Sequence, residues 1–157
     1  MKVTISGSPE LTKGLREARE KTLDLLASAL YQEGERVMSK SKEEVAVGVD
    51  GTLRASGFVR PPKRDMGSIK VELGYGGAAQ GYAAAVHEGT RPHMPPVDSL
   101  KAWAKKFLGS EKLAWAVAFA ISKRGTKATK YLERPLRAEA GSMGDRIARK
   151  IKAGLRS

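Results

Sequence analysis

Two histidines and a glutamate lie close together in this chain, as His87-Glu88 and then His93. Zinc hydrolases built on this residue set place His at i and i+4 of one helical turn, with Glu beside the first, so that both imidazoles reach one ion. Here position 91 is Arg, Pro92 and Pro95 bracket the second histidine, and no third histidine exists to complete the ligands. No metal site and no cofactor is expected. Gly74 to Gly81 is glycine-rich, but it lacks the closing Gly-Lys-Ser/Thr of a phosphate cradle, and position 79 is Ala where a dinucleotide fingerprint needs Gly. Ser6, Ser8, Ser56 and Ser110 all lack the flanking glycines of a nucleophile elbow. Asp50, Asp65, Glu72, Glu88 and Asp98 offer carboxylates, with no spacing that selects an acid–base pair. The parts of an enzyme are missing, and none is expected.

Cationic side chains are the more conspicuous chemistry. Net charge is +12 over 157 residues, and it is uneven. Residues 1–50 hold 8 Lys/Arg against 9 Asp/Glu, whereas residues 51–157 hold 21 against 8 and residues 123–157 alone hold 11 against 3. Such a half attracts polyanions or an acidic protein surface. Arg60, Lys63 and Arg64 lie beside Phe58, a second group flanks Gly125, and a third decorates the last helix. No sequence-reading nucleic-acid motif accompanies them, so any DNA contact is expected to be nonspecific.

The chain that must position these groups has one domain's worth of residues, 41% of them hydrophobic, and no cysteine. No apolar run approaches a membrane span, and the opening Met-Lys-Val-Thr-Ile-Ser-Gly has no apolar stretch, so neither membrane nor signal peptide is expected. Synthesis in a cytoplasm follows as an expectation.

Ser8-Pro9-Glu10 reads as a helix start. Leu15, Ala18, Thr22, Leu25, Leu26, Ala29, Leu30, Val37 and Met38 then recur at helical spacing to about Ser39, with Gly34 as a local weakness. This stripe is expected to pack on a sheet in preference to a coiled coil. Val45 to Val47 reads as a short strand. The period then changes to 2. Thr52–Arg60 is expected to be extended and to pair with Ser68–Tyr75 as a hairpin, with the Pro61–Gly67 segment projecting unpaired as a basic loop. Tyr82–Val86 is left as strand or short helix. Arg91 to Pro96 must be a loop, and helices follow at about 98–107 and 111–123. A last helix is predicted from Pro135, interrupted at Gly141 and Gly144. The class is α+β: a small antiparallel sheet packed against a long N-terminal helix, with further helices in the C-terminal half, all in a single domain over 1–157.

Three segments, in order, resemble the tail-completion or head–tail joining (neck) proteins of tailed bacteriophages. Asp50-Gly51-Thr52-Leu53-Arg54-Ala55-Ser56 is similar to that family's Asp-Thr-Gly-x-Leu-Arg-x-Ser signature, with Gly and Thr transposed and one residue lost. Tyr82-Ala83-Ala84-Ala85-Val86-His87-Glu88-Gly89-Thr90 resembles its Tyr-Ala-x-x-Val-(Glu/His)-x-Gly-Thr segment. Tyr131-Leu132 with Pro135-Leu136 is similar to its closing element before the last helix. Residues 92–124 stand as a helical insertion relative to the shortest members.

The resemblance implies a virion protein of the neck or tail, assembling into a ring, commonly six-fold, between portal-side connector and tail proteins. A tail terminator, another minor tail protein and a nonspecific nucleic-acid-binding protein are the alternatives. The motif residues are expected to maintain the fold. Interfaces are expected on protruding loops, at Arg64, Met66, His93 and Met94, and on the basic last helix at Arg146, Arg149 and Lys150, facing carboxylates of a neighbour's residues 10–50.

Overall fold

In the computed structural model, which describes Val3, residues 7–45 and residues 48–156, the Ser8 hydroxyl accepts the Leu11 N–H at 3.2 Å and Pro9 occupies the first helical position. That cap starts helix α1 (Pro9–Glu44), 36 residues or about 54 Å long. It outruns the predicted end by about a turn and closes where the Val45 N–H reaches the Ser41 carbonyl at 3.0 Å. The strand expected at 45–47 has Val45 as that cap, and its other two residues lie outside the described ones.

The last helix, α6 (Glu133–Arg156), lies antiparallel against α1. Leu25 meets Gly154, Ser28 meets Lys150, Glu33 meets Arg146, and Lys40 meets Glu139, so each step down α1 is a matching step up α6. Gly141 and Gly144 do not interrupt it. Both are exposed in an element whose packing on α1 outweighs the roughly 1 kcal/mol each glycine costs. It begins two residues before Pro135, which is tolerated because the first turn's N–H groups have no helical acceptor.

The sheet region differs from the expected hairpin. Thr52–Ala55 is one helical turn, α2, and the chain becomes extended only at β1 (Gly57–Val59). Strand β1 pairs antiparallel with β4 (Leu73–Tyr75), and β2 (Lys63–Asp65) pairs with β3 (Ser68–Lys70) around a Met66-Gly67 turn. The segment expected to project unpaired therefore forms half of a second ladder. Pro61 and Pro62 sit in the gap between the two ladders, where no N–H is required of them, and the Arg60 N–H to Glu72 carbonyl bond of 2.7 Å spans that gap.

Gly34, read as a weak point, is where the sheet crosses α1. A Cβ there would lie 3.0 Å from Val59 Cγ1 and 3.1 Å from Val71 Cγ1. The helical stripe thus packs on the sheet as predicted, but only in its C-terminal half. Leu11 and Leu15, in the first turns, are 58% and 65% exposed.

Between sheet and α6 lie α3 (Gln80–Glu88), α4 (Val97–Leu108) and α5 (Ala114–Arg124), with single 3₁₀ turns before α3 and α5. Segment 82–86, open between strand and helix, is helical. No helix among the described residues is long and apolar enough to cross a membrane.

Candidate functional site

The three motif segments, scattered over some 85 residues, meet at one small core. Val45, Leu53, Ala79, Ala83 and Tyr131 are buried together, with Tyr75, Val86 and Leu132 packed against them. Most motif residues have an identifiable local task at or beside it.

In the first segment, Asp50 Oδ1 accepts the Thr52 N–H at 3.0 Å, and the Thr52 side chain first, with this N–H second, holds the Asp50 carboxyl below the usual aspartate range. Gly51 adopts φ 73°, a left-handed conformation that glycine enters without cost. The transposed Asp-Gly-Thr order therefore still leads into a helical turn, with Gly51 at its N-cap position. Leu53 plugs the core, Ser56 Oγ donates to the Leu53 carbonyl at 2.8 Å, and the Arg54 guanidinium donates to the Val45 carbonyl at 3.0 Å. The motif ties the end of α1 to the start of the sheet.

In the second segment Ala83 and Val86 face Tyr131, while Tyr82 is exposed. Tyr131 donates to the Ala83 carbonyl at 2.8 Å and meets the rings of Tyr75 and His87 edge-on, at 4.8 and 4.9 Å between centroids. His87 stands at the crossing of α3 and α6. Its Nδ1 is 2.8 Å from Glu88 Oε1, and its Nε2 faces the Glu133 N–H at 3.4 Å, the first residue of α6. Glu88 also pairs with Lys130, and these two partners, Lys130 foremost, hold its carboxyl below the ordinary glutamate value. Both imidazole nitrogens thus have partners within the chain. His93, on an exposed loop, turns its Nδ1 to the Arg91 carbonyl and is not brought to His87. Among the described residues no group of three His, Cys, Asp or Glu is placed to share a metal ion.

Gly89 and Thr90 then join Gly125 and Thr126. Thr90 and Thr126 exchange two backbone hydrogen bonds, each 3.1 Å, and their hydroxyls lie 3.0 Å apart. Leu132 and buried Pro135 complete the entry to α6.

The expected interface residues divide. Met66, His93, Met94 and Arg149 are exposed. Arg64 is tied to Glu20 and Asp24 of its own α1. Arg146 is committed inside the chain: its guanidinium donates to both carboxylate oxygens of buried Glu33, at 2.9 and 3.0 Å from Nε, and to Glu139 at 2.7 Å. Lys150 Nζ donates to Ser28 Oγ at 2.9 Å. For Arg146, the pairing of an α1 carboxylate with a C-terminal cation, expected between subunits, is made within one chain, because α6 folds back along α1.

Two surfaces escaped the sequence reading. Lys63 and Lys70 stand directly opposite in the β2–β3 ladder, a like-charge pair that costs stability. On α4, α5 and the 3₁₀ turn between them, Trp103, Phe107, Leu108, Leu113, Trp115 and Phe119 are all exposed. The signal was present: the residues of α4 and α5 that are fully buried are Ala104, Ala114 and Ala118, and the large rings are left exposed. No protein-family model, curated protein or solved structure matches the chain.

Proposed function

We propose that this protein is a structural subunit of the head–tail connector or tail end of a tailed bacteriophage, a tail-completion or neck protein acting by assembly and protein–protein contact. The observation that supports it is the convergence of its three motif segments, in the resembled order, on a single core around Tyr131. Residues at such positions hold turns and helix entries, which is what a subunit needs to present loops at fixed angles to its neighbours. The N-terminal turns of α1, the Met66 tip and the 91–96 loop are the surfaces left open for those contacts. A closed ring requires two different patches on opposite flanks of each copy.

Mass spectrometry of purified particles from a phage encoding this chain is the direct test. The expected result is the chain in every particle at a copy number matching one ring; a protein confined to the infected-cell lysate sinks the reading.

Nonspecific DNA contact is the second reading, carried by the uncompensated Lys63–Lys70 pair and by Arg149, Lys152 and Arg156, which share one exposed stripe of α6. Binding to random duplex that falls steeply with salt distinguishes it.

A further inference from the structure

Helices α4 and α5 pack on one another and on the 3₁₀ turn between them, with little contact to the rest of the fold. They are tied to the rest of the fold by the Thr90–Thr126 bridge and by Lys106, whose ammonium donates to the carbonyls of Gly48 and Val49 at 3.0 and 2.7 Å. The only side chains of the two helices that are fully buried are those of three alanines, Ala104, Ala114 and Ala118. The large apolar material is turned outward, as Trp103–Phe107 on α4 and Trp115–Phe119 on α5, each an i, i+4 pair with ring centroids 5.3 and 5.4 Å apart. Trp115 is 59% exposed. Two helices that fully bury only alanines and hold their aromatic rings outside leave an apolar face open to a third.

The charge around these rings selects the occupant. The hairpin carries two carboxylates, and both are spent on its own lysines, Asp98 on Lys101 and Glu111 on Lys105. Lys106 and Lys123 lie over the rings of Phe107 and Phe119, and Lys112 and Arg124 have no carboxylate partner among the described residues. A second copy of a chain with net charge +12 brings the same surplus. Base stacking needs open ring faces, whereas Phe107 and Phe119 already hold ammonium groups on theirs. Leu108 and Leu113 add aliphatic surface suited to Leu or Ile side chains. We propose that the α4–α5 hairpin is a docking platform for an acidic amphipathic helix of another protein, whose apolar stripe covers the rings while its carboxylates meet Lys112 and Arg124. This uses the hairpin alone and holds whether or not the chain forms rings.

The test is selection of a display library of helix-forming peptides about 20 residues long, randomised to both acidic and basic residues, on the full chain. Enriched peptides should carry apolar residues at i, i+3, i+4 and i+7 flanked by Asp and Glu. They should lose about tenfold or more in affinity for a Trp115→Ser/Phe119→Ser variant that retains wild-type circular dichroism. A Lys112→Glu/Arg124→Glu variant, which keeps every ring, should turn the selection toward Lys-rich helices. Both tryptophans of the chain lie in this hairpin, so binding should also shift emission to the blue. Enrichment of basic or uncharged peptides, or indifference to both variants, overturns the proposal. So does a blue shift caused by phosphatidylglycerol vesicles, by random duplex DNA or by raising protein concentration alone, where the selected peptide gives none.

Discussion

Gly125 approaches Thr90 so closely that a Cβ on it would sit 1.9 Å from the Thr90 carbonyl oxygen. Gly89 makes the reciprocal approach, its absent Cβ falling 2.4 Å from the Thr126 carbonyl oxygen. Both glycines combine positive φ, 73° and 68°, with an extended ψ, a region that side-chain-bearing residues essentially never enter. Gly89→Ala and Gly125→Ala are therefore each expected to destabilise the protein by about 3 kcal/mol, through backbone strain and the clash with a carbonyl. Urea denaturation measures it, and a loss under about 1 kcal/mol at both sites would mean the bridge opens at little cost.

Two other glycines, both in α1, should respond with opposite signs. Gly14 has nothing within 4 Å of its missing Cβ, so Gly14→Ala adds helix propensity of about 1 kcal/mol and raises the melting temperature. Gly34→Val forces branched atoms into Val59 and Val71 and is expected to cost about 2 kcal/mol or more. Thermal melts of the two variants side by side decide it.

The Glu33–Arg146–Glu139–Lys40 cluster predicts acid sensitivity. Arg146 holds the Glu33 carboxyl below its ordinary value of 4.5, and Lys40 chiefly does the same for Glu139. The unfolded chain binds protons at these carboxyls before the folded one does. The stabilisation is thus fully present above about pH 4.5 and is lost as pH falls through the depressed values. Arg146→Ala should lower the melting temperature at neutral pH more than Arg149→Ala, and should flatten the acid limb of the stability profile. Equal effects of the two substitutions would refute the cluster's role in holding α6 on α1.

Alkaline behaviour follows from Tyr75 and Tyr131. Burial is the main cause raising both hydroxyls above the ordinary tyrosine value of 10.0. The folded state then keeps protons that the unfolded chain releases, so stability is intact below pH 10 and declines above it. Tyr131→Phe removes the bond to the Ala83 carbonyl and should cost about 1 kcal/mol at neutral pH while reducing the alkaline loss. Tyrosinate absorbance followed with circular dichroism reads both effects.

Much of this fold was legible locally. The Ser8-Pro9 cap, the 3.6-residue stripe of α1, the proline loop at 92–96 and the glycine stops at 109 and 125 are signals that act within a few residues, and each stands where it was read. The motif segments were also visible as residues, but their common core was not. Nothing at Leu53, Ala83 or Tyr131 alone states that they touch. The errors fall where distant packing overruled local preference. Thr52–Ala55 alternates like a strand, yet it forms a helical turn that buries Leu53 with Ala83 and Tyr131, and Gly141 and Gly144 survive inside α6 because α1 lies alongside.

Residue types, charge surplus and the placing of most helices were thus settled by the chain's own chemistry, since caps, periodicity and proline act over short range. Tertiary structure alone decided which charges remain available. Folding α6 back along α1 spends Arg146, Lys40 and Lys150 inside the molecule, while α4 and α5 fully bury only alanines and leave two tryptophans facing outward. A charge or ring has an internal partner only when some remote segment supplies one, and sequence spacing carries no record of that distance.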